Sequence, residues 1–217
     1  MATTNADRHY LPAAGRDAFL PLYDPFTRLL GIDGLRMSLL DQAALQSHFR
    51  VLDVGCGTGS LAVLIKRLYS TVDVTGVDPD PKALARAERK ARRASVSVRF
   101  DRGFADALPY SGATFDRVFS SLMFHHIPRN DKEQSLREIR RVLRPGGRLE
   151  FLDMANPASH SHGLFGRLIH SPAQMKDNVD QRILELMTSA GFEKPTHVDN
   201  RGLLFGRVAF FQATAPA

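Results

Sequence analysis

Between Arg50 and Asp153 the chain alternates short, largely apolar runs with longer stretches whose apolar residues recur at helical spacing. No other feature of the sequence limits the fold so strongly. A run such as Arg50–Val54 reads as a buried strand, and the amphipathic stretches between such runs are what covers it. The spacing predicts strands at Arg50–Val54, Val72–Val77, Val96–Phe100, Phe115–Ser120 and Arg148–Asp153. It predicts helices at Ser60–Tyr69, Pro81–Ala94 and Asp131–Leu143. Asp78-Pro79 stops the second strand. Pro81 suits the first turn of a helix, where its missing N–H costs little. Arg144-Pro145-Gly146-Gly147 closes the third of these helices.

Later segments complete the pattern. Gln181–Ala190 reads as a helix ended by Gly191, and Pro195–Asn200 and Arg207–Ala213 read as strands able to form a hairpin. Residues 25–48 read as helix with an interruption at Gly31–Gly34, whereas residues 1–24 show no clear period. Strand–helix alternation of this kind implies an α/β fold. The expected architecture is a Rossmann-like, doubly wound, mainly parallel sheet of about seven strands with an antiparallel C-terminal edge hairpin.

Composition narrows the functional classes. No apolar run approaches the roughly 20 residues of a membrane span, and the N-terminus lacks a basic region followed by an apolar stretch, so a cytoplasmic chain is expected. The single cysteine, Cys56, excludes an internal disulfide framework and a cysteine-cluster zinc site. His160, His162 and His170 surround the apolar stretch Leu164–Ile169 without nearby acids, so no metal site is expected. The net charge is +6, and the cations concentrate at Lys82, Arg86, Arg89, Lys90, Arg92, Arg93, Arg99 and Arg102. That run is read as a solvated helix face, although a basic surface also attracts nucleic acid, anionic lipid or an acidic substrate.

The chemistry centres on Val51-Leu52-Asp53-Val54-Gly55-Cys56-Gly57-Thr58-Gly59, which follows a strand and opens a helix. Glycines there let the backbone turn sharply and approach a ligand, and the helix N-terminus beyond them offers free N–H groups. Gly57-x-Gly59-x-x-Ala62 also fits a dinucleotide fingerprint. Two acids shift the balance. Asp53, two residues before the first glycine, is placed to receive an ammonium group. Asp78, at the end of the second strand, can accept both hydroxyls of a ribose. Together they describe an amino-acid nucleoside better than a pyrophosphate.

These motifs give the chain a resemblance to class I S-adenosylmethionine-dependent methyltransferases, extending from about Arg50 to Pro157. VLDVGCGTG resembles the family's glycine loop and GVDPDP its ribose-binding strand end. FDRVFSSLMFHHI is similar to its fourth strand and following loop, and LREIRRVLRPGGRLEFLDMANP to its fifth helix–turn–strand unit. Leu22-Tyr23-Asp24 adds a less specific likeness to the ubiquinone/menaquinone-biosynthesis group of these enzymes. The resemblance implies S-adenosylmethionine as donor and S-adenosylhomocysteine as product. It implies donor contacts from Asp53, Gly55, Cys56, Gly57, Gly59, Asp78, Pro79, Ser120 and Ser121. One departure concerns the adenine. Relatives carry Gly-Asp-Ala where this chain has Gly103-Phe104-Ala105-Asp106. Either Asp106 receives the adenine amino group, or the backbone at Ala105 and the ring of Phe104 hold it; the second is favoured, because a shift of two residues re-aims a side chain in a turn. The expected division is one domain over 1–217: an N-terminal helical lid segment at 1–48, a donor-binding core at 49–157, and a helical insertion with the C-terminal strands at 158–217.

Donor motifs do not identify the acceptor. His125 and His126 follow the fourth strand at the ligand edge, and His126 is the preferred candidate base. Tyr10 and Tyr23, with His9, lie on the N-terminal segment and are candidates for the acceptor wall. Met123, Met154 and Met175 are read as core. Cys56 lacks the Pro-Cys context of a cytosine-methylating nucleophile. Ser120-Ser121-Leu122-Met123 replaces the Asn/Asp-Pro-Pro-aromatic signature of amino-methylating DNA enzymes, so nucleic acid is not the expected partner. Three readings stand: methylation of a small organic acceptor at O, N or C; methylation of a lipid head group or membrane-held quinone precursor, with peripheral membrane contact; and a non-catalytic protein that binds the donor.

Overall fold

The computed structural model describes residues 31–155, 180–203 and 206–217. Its strands are β1 (Arg50–Val54), β2 (Asp73–Asp78), β3 (Arg99–Arg102), β4 (Phe115–Ser121), β5 (Leu143–Ala155), β6 (Glu193–Leu203) and β7 (Gly206–Thr214). Its helices are α1 (Ile32–Ala43), α2 (Ser60–Leu68), α3 (Pro81–Arg93), α4 (Arg129–Val142) and α5 (Asp180–Ser189), with a 3₁₀ turn at Phe124–His126.

Seven strands form one sheet in the order β3-β2-β1-β4-β5-β7-β6. β1 to β5 run parallel, and β7 is antiparallel to both β5 and β6, which is the edge hairpin expected from the sequence. Strand alternation sorts the core into two layers. Leu52, Val118, Leu149 and Phe151 point toward Leu136, Ile139 and Val142 of α4 and Ile183 and Met187 of α5. Val51, Val74, Phe119 and Leu152 point the other way, toward Leu35, Leu39 and Leu40 of α1 and Leu61 and Ile65 of α2. Both faces are covered, which explains why the central strands read as near-continuous apolar runs.

Boundaries moved where backbone hydrogen bonds outrank side-chain pattern. The third strand was expected at Val96–Phe100 but begins at Arg99. Ser95, at φ 54, turns the end of α3 back on itself, and the Val96 N–H donates to the Ala91 carbonyl, so these residues cap the helix instead of joining the sheet. Arg144-Pro145-Gly146-Gly147 does not separate α4 from the fifth strand. It forms a bulge inside β5, since the pairing with β4 jumps from Phe115–Leu143 to Arg117–Arg148. The bulge is tied down by Gly146 N–H to the Ala215 carbonyl (3.1 Å) and Ala215 N–H to the Gly147 carbonyl (2.8 Å). α3 opens as expected, with Pro81 in its first turn and the Asp80 carboxylate accepting from the Lys82 N–H at 2.8 Å.

The chain leaves β1 for β2 and β3, then crosses back to place β4 on the other side of β1. That reversal opens a crevice beyond the carboxyl ends of β1, β2 and β4, where open α/β sheets hold ligands. Residues 1–30 and 156–179 lie outside the described residues, and with them the first 30 residues of the expected lid segment, His160, His162, His170 and Met175; the rest of that segment, 31–48, carries α1. Among the described residues, no helix is long and apolar enough to cross a membrane.

Candidate active site

The crevice holds a cavity of about 390 Å³. Asp53, Gly55, Cys56, Gly57, Asp78, Pro79, Phe104, Ala105, Asp106, Ser121 and His126 all line it. Gly59 and Ser120 are not among the lining residues. A Cβ at Gly59 would lie 2.7 Å from the Ala87 Cβ and 3.0 Å from the Phe100 ring, so this glycine lets α2 start against α3. Ser120 is fully buried beside Val54, and its hydroxyl has no hydrogen-bond partner. Tyr10 and Tyr23 lie outside the described residues.

The glycine loop is held by its neighbours. The N–H groups of Gly55 and Cys56 both donate to the Val77 carbonyl, at 2.8 and 3.1 Å. Gly55 sits at φ +69, and a Cβ there would fall 2.0 Å from Met123 Cγ. Met123, half-buried, packs against the core layer under α4 in keeping with its reading as core, and it also presses on the loop and lines the cavity. The Asp78 carboxylate accepts from the Gly57 N–H (2.8 Å) and the Asp80 N–H (2.9 Å). A carboxylate has about four lone-pair positions, so Asp78 keeps acceptor capacity for hydroxyl groups.

The end of β1 carries the clearest demand for a ligand. Asp53 is 2% exposed, and its Oδ2 has no hydrogen-bond partner. Burial pushes its carboxyl up to about 7, against the opposing charge of Arg36 and with a further rise from Asp78. Burial likewise pushes Asp78 up to about 6, against the N–H groups of Asp80 and Gly57. A buried carboxylate oxygen without a partner fits an ammonium group. Cys56 is buried, and its thiol is pushed well above the ordinary range by burial and then by the charges of Asp53 and Asp78, so it is no nucleophile.

The 3₁₀ turn after β4 places two histidines in sequence, of which His126 lines the same cavity as the acids. His125 is buried; its Nδ1 meets Asp153 Oδ1 at 2.5 Å and its backbone N–H donates to Asp153 Oδ2 at 3.0 Å. Asp153 also accepts from the Met154 N–H at 2.6 Å. Burial would raise the Asp153 carboxyl, but His125, Met154 and His126 outweigh it and hold it below the usual range. The His126 ring lies against that of His125, tilted by 40° with centroids 4.1 Å apart, and His126 lines the cavity.

Sequence reasoning missed Asp153 and Arg36. Asp153 shares the inward parity of Leu149 and Phe151 on β5, and an acid at such a position needs a buried partner. Arg36 falls on the apolar stripe Ile32, Leu35, Leu39, Leu40 and Ala43 of α1. It is 8% exposed, lines the cavity and bonds Asp33 at 2.8 Å. Near Asp53 it can meet the carboxylate of an amino-acid group whose ammonium Asp53 receives.

Fold and site together define an α/β protein whose crevice at the ends of β1 and β2 suits a nucleoside bearing an amino-acid group. The family described as a methyltransferase domain matches residues 51–147. A demethylmenaquinone methyltransferase from Deinococcus radiodurans is 42% identical over 149 residues, which is 67% of this chain and 60% of that protein. Its namesake from Thermus thermophilus is 37% identical over 151 residues, 68% of each chain. A S-adenosylmethionine-dependent methyltransferase structure from Aquifex aeolicus shares the fold at a TM-score of 0.72 and 18% identity, covering 91% of this chain and 97% of that one. The chain belongs to the class I S-adenosylmethionine-dependent methyltransferase family.

The raised acids make donor binding depend on pH. If ionised Asp53 receives the donor's ammonium group, affinity should rise with pH through the range of Asp53 and Asp78. From pH 8 down to pH 6 a group at about 7 loses about tenfold in affinity for its cation. Calorimetry in buffers of different ionisation enthalpy should show proton release on donor binding at pH 6 and little at pH 8. Folding of the free protein has the opposite sign. Between the ordinary carboxyl range and these raised values the unfolded chain is ionised and the folded one protonated, so stability falls as pH rises. Donor affinity that is flat across this range would remove Asp53 from the ammonium site.

Proposed function

We propose that the protein transfers the methyl group of S-adenosylmethionine to a small organic acceptor, a hydroxylated ring of the quinone-precursor type. The observation that carries this reading is one cavity joining Asp53, whose Oδ2 has no hydrogen-bond partner, and Asp78 to His126. Leu122, Met123 and Ile127 give the cavity an apolar wall beside His126. A flat ring with a hydroxyl suits that lining, and the names of the Deinococcus and Thermus relatives support it.

Asp53 and Arg36 would hold the donor's amino-acid end, Asp78 its ribose, and the Phe104–Asp106 turn its adenine. When bound, S-adenosylmethionine supplies a methyl group on a sulfonium, which reacts with an electron-rich atom. His126 takes the proton of the acceptor hydroxyl at a ring nitrogen, leaving an electron-rich ring or oxygen facing the methyl. Ionised Asp153, behind the histidine pair, offsets the positive charge that His126 then carries. The loop–Met123 contact and the apolar wall limit water at the reacting atoms.

Turnover tests the reading. Incubation with S-adenosylmethionine and short-chain naphthoquinols should produce S-adenosylhomocysteine together with a singly methylated ring. Donor binding with no product from quinols, phenols or amines would instead describe a binding protein. Tight NAD binding would return the glycine loop to the dinucleotide reading.

A further inference from the structure

The surface charge is concentrated in one place. Residues 82–102 hold eight cations against Glu88 and Asp101, a net +6, so the rest of the chain is neutral overall. The fold gathers them on one edge. α3 buries Ala83, Leu84, Ala87 and Ala91 and leaves Arg89, Arg92 and Arg93 exposed, Arg92 lying 3.8 Å from Glu88, with Arg86 half-buried among them. Beside it runs β3, the end strand of the sheet, with Arg102 exposed on the face that carries α3 and Arg99 exposed on the other face, where it pairs with Asp101 at 2.9 Å. This edge begins at the lip of the cavity: Arg102 Nε donates to the carbonyl of Pro79, which lines it, at 3.2 Å.

We infer that the α3–β3 edge docks the protein on an anionic lipid surface and presents the cavity to a membrane-held acceptor. This rests on the quinone-precursor reading above. Charge complementarity selects the partner: a broad array of cations with few acids matches a bilayer carrying phosphate head groups. Phe100 is the one aromatic residue in the segment and is half-buried, so the edge lacks the stacking platforms of a single-stranded nucleic-acid surface. No large apolar side chain of α3 projects outward, so the contact is electrostatic, reversible and screened by salt.

The test uses the full chain and phosphatidylcholine vesicles with or without about 30% phosphatidylglycerol. The protein should sediment with the anionic vesicles alone and be released by about 0.5 M salt. Replacing Arg89, Arg92 and Arg93 by Gln keeps helix propensity and removes three charges. Each charge is worth about fivefold at such a surface, so binding should weaken about a hundredfold. The same change at Arg137, Arg182 and Arg201, also exposed, should weaken it far less. Equal losses in the two variants, no vesicle binding, or tighter binding to a single-stranded oligonucleotide would overturn the assignment. Turnover of a water-soluble naphthoquinol separates the two proposals. The Arg89/Arg92/Arg93 variant should keep it and lose only turnover of a polyprenylated acceptor in anionic vesicles. If the parent lacks both, the acceptor reading fails while docking is judged by sedimentation alone.

Discussion

Asp78→Ala is expected to weaken S-adenosylmethionine binding by about 2–4 kcal/mol, the worth of two hydrogen bonds from hydroxyls to a buried carboxylate. The effect has two sources. The ribose loses its acceptor, and the N–H groups of Gly57 and Asp80 lose the partner that sets the loop for the donor. Asp78→Asn keeps the shape and one acceptor oxygen, and should recover part of the loss. Both variants should fold, because the sheet pairing of β2 with β1 and β3 is carried by backbone hydrogen bonds. Calorimetry reads the affinity and thermal unfolding confirms the fold. Unchanged affinity in a folded Asp78→Ala protein would take Asp78 out of the site.

Removing the proposed base gives the other large effect. His126→Ala should lower kcat about a hundred- to a thousandfold, the usual worth of a positioned general base, and leave donor affinity unchanged. The variant should regain activity as pH rises, by about tenfold per unit until the acceptor hydroxyl ionises in solution, because the proton must then leave before binding. Asp153→Asn should lower kcat less and also destabilise the fold. Its carboxylate holds the buried His125 ring and the N–H groups of His125 and Met154, and an amide cannot satisfy them all. A His126→Ala enzyme within about twofold of the parent kcat would restrict that histidine to lining the cavity.

Much of this arrangement was legible in the linear chain. Strand–helix alternation, the glycine loop after β1 and the acid ending β2 are local signals, each arising from residues within one turn or one strand of each other. Backbone chemistry makes such signals reliable: glycine where φ is positive, proline in a first helical turn, an acid where a strand meets its loop. Other features depend on residues that meet only across the sheet. Gly59 fits a ligand loop by sequence but is required by Ala87 and Phe100 on other elements. Asp153 reads as a strand end until β5, lying beside β4, brings it under His125. Arg36, 17 residues before Asp53, reaches the same cavity because α1 packs on the face of the sheet that holds α2. Cations at 82–102 look like an ordinary helix face until β3 becomes the end strand and adds Arg99 and Arg102 to the same edge. Elements and the donor loop follow from short-range backbone preference and hydrophobic period. Partners for buried charges, and the edge where surface charge gathers, follow from strand order, which long-range packing sets and no local window contains.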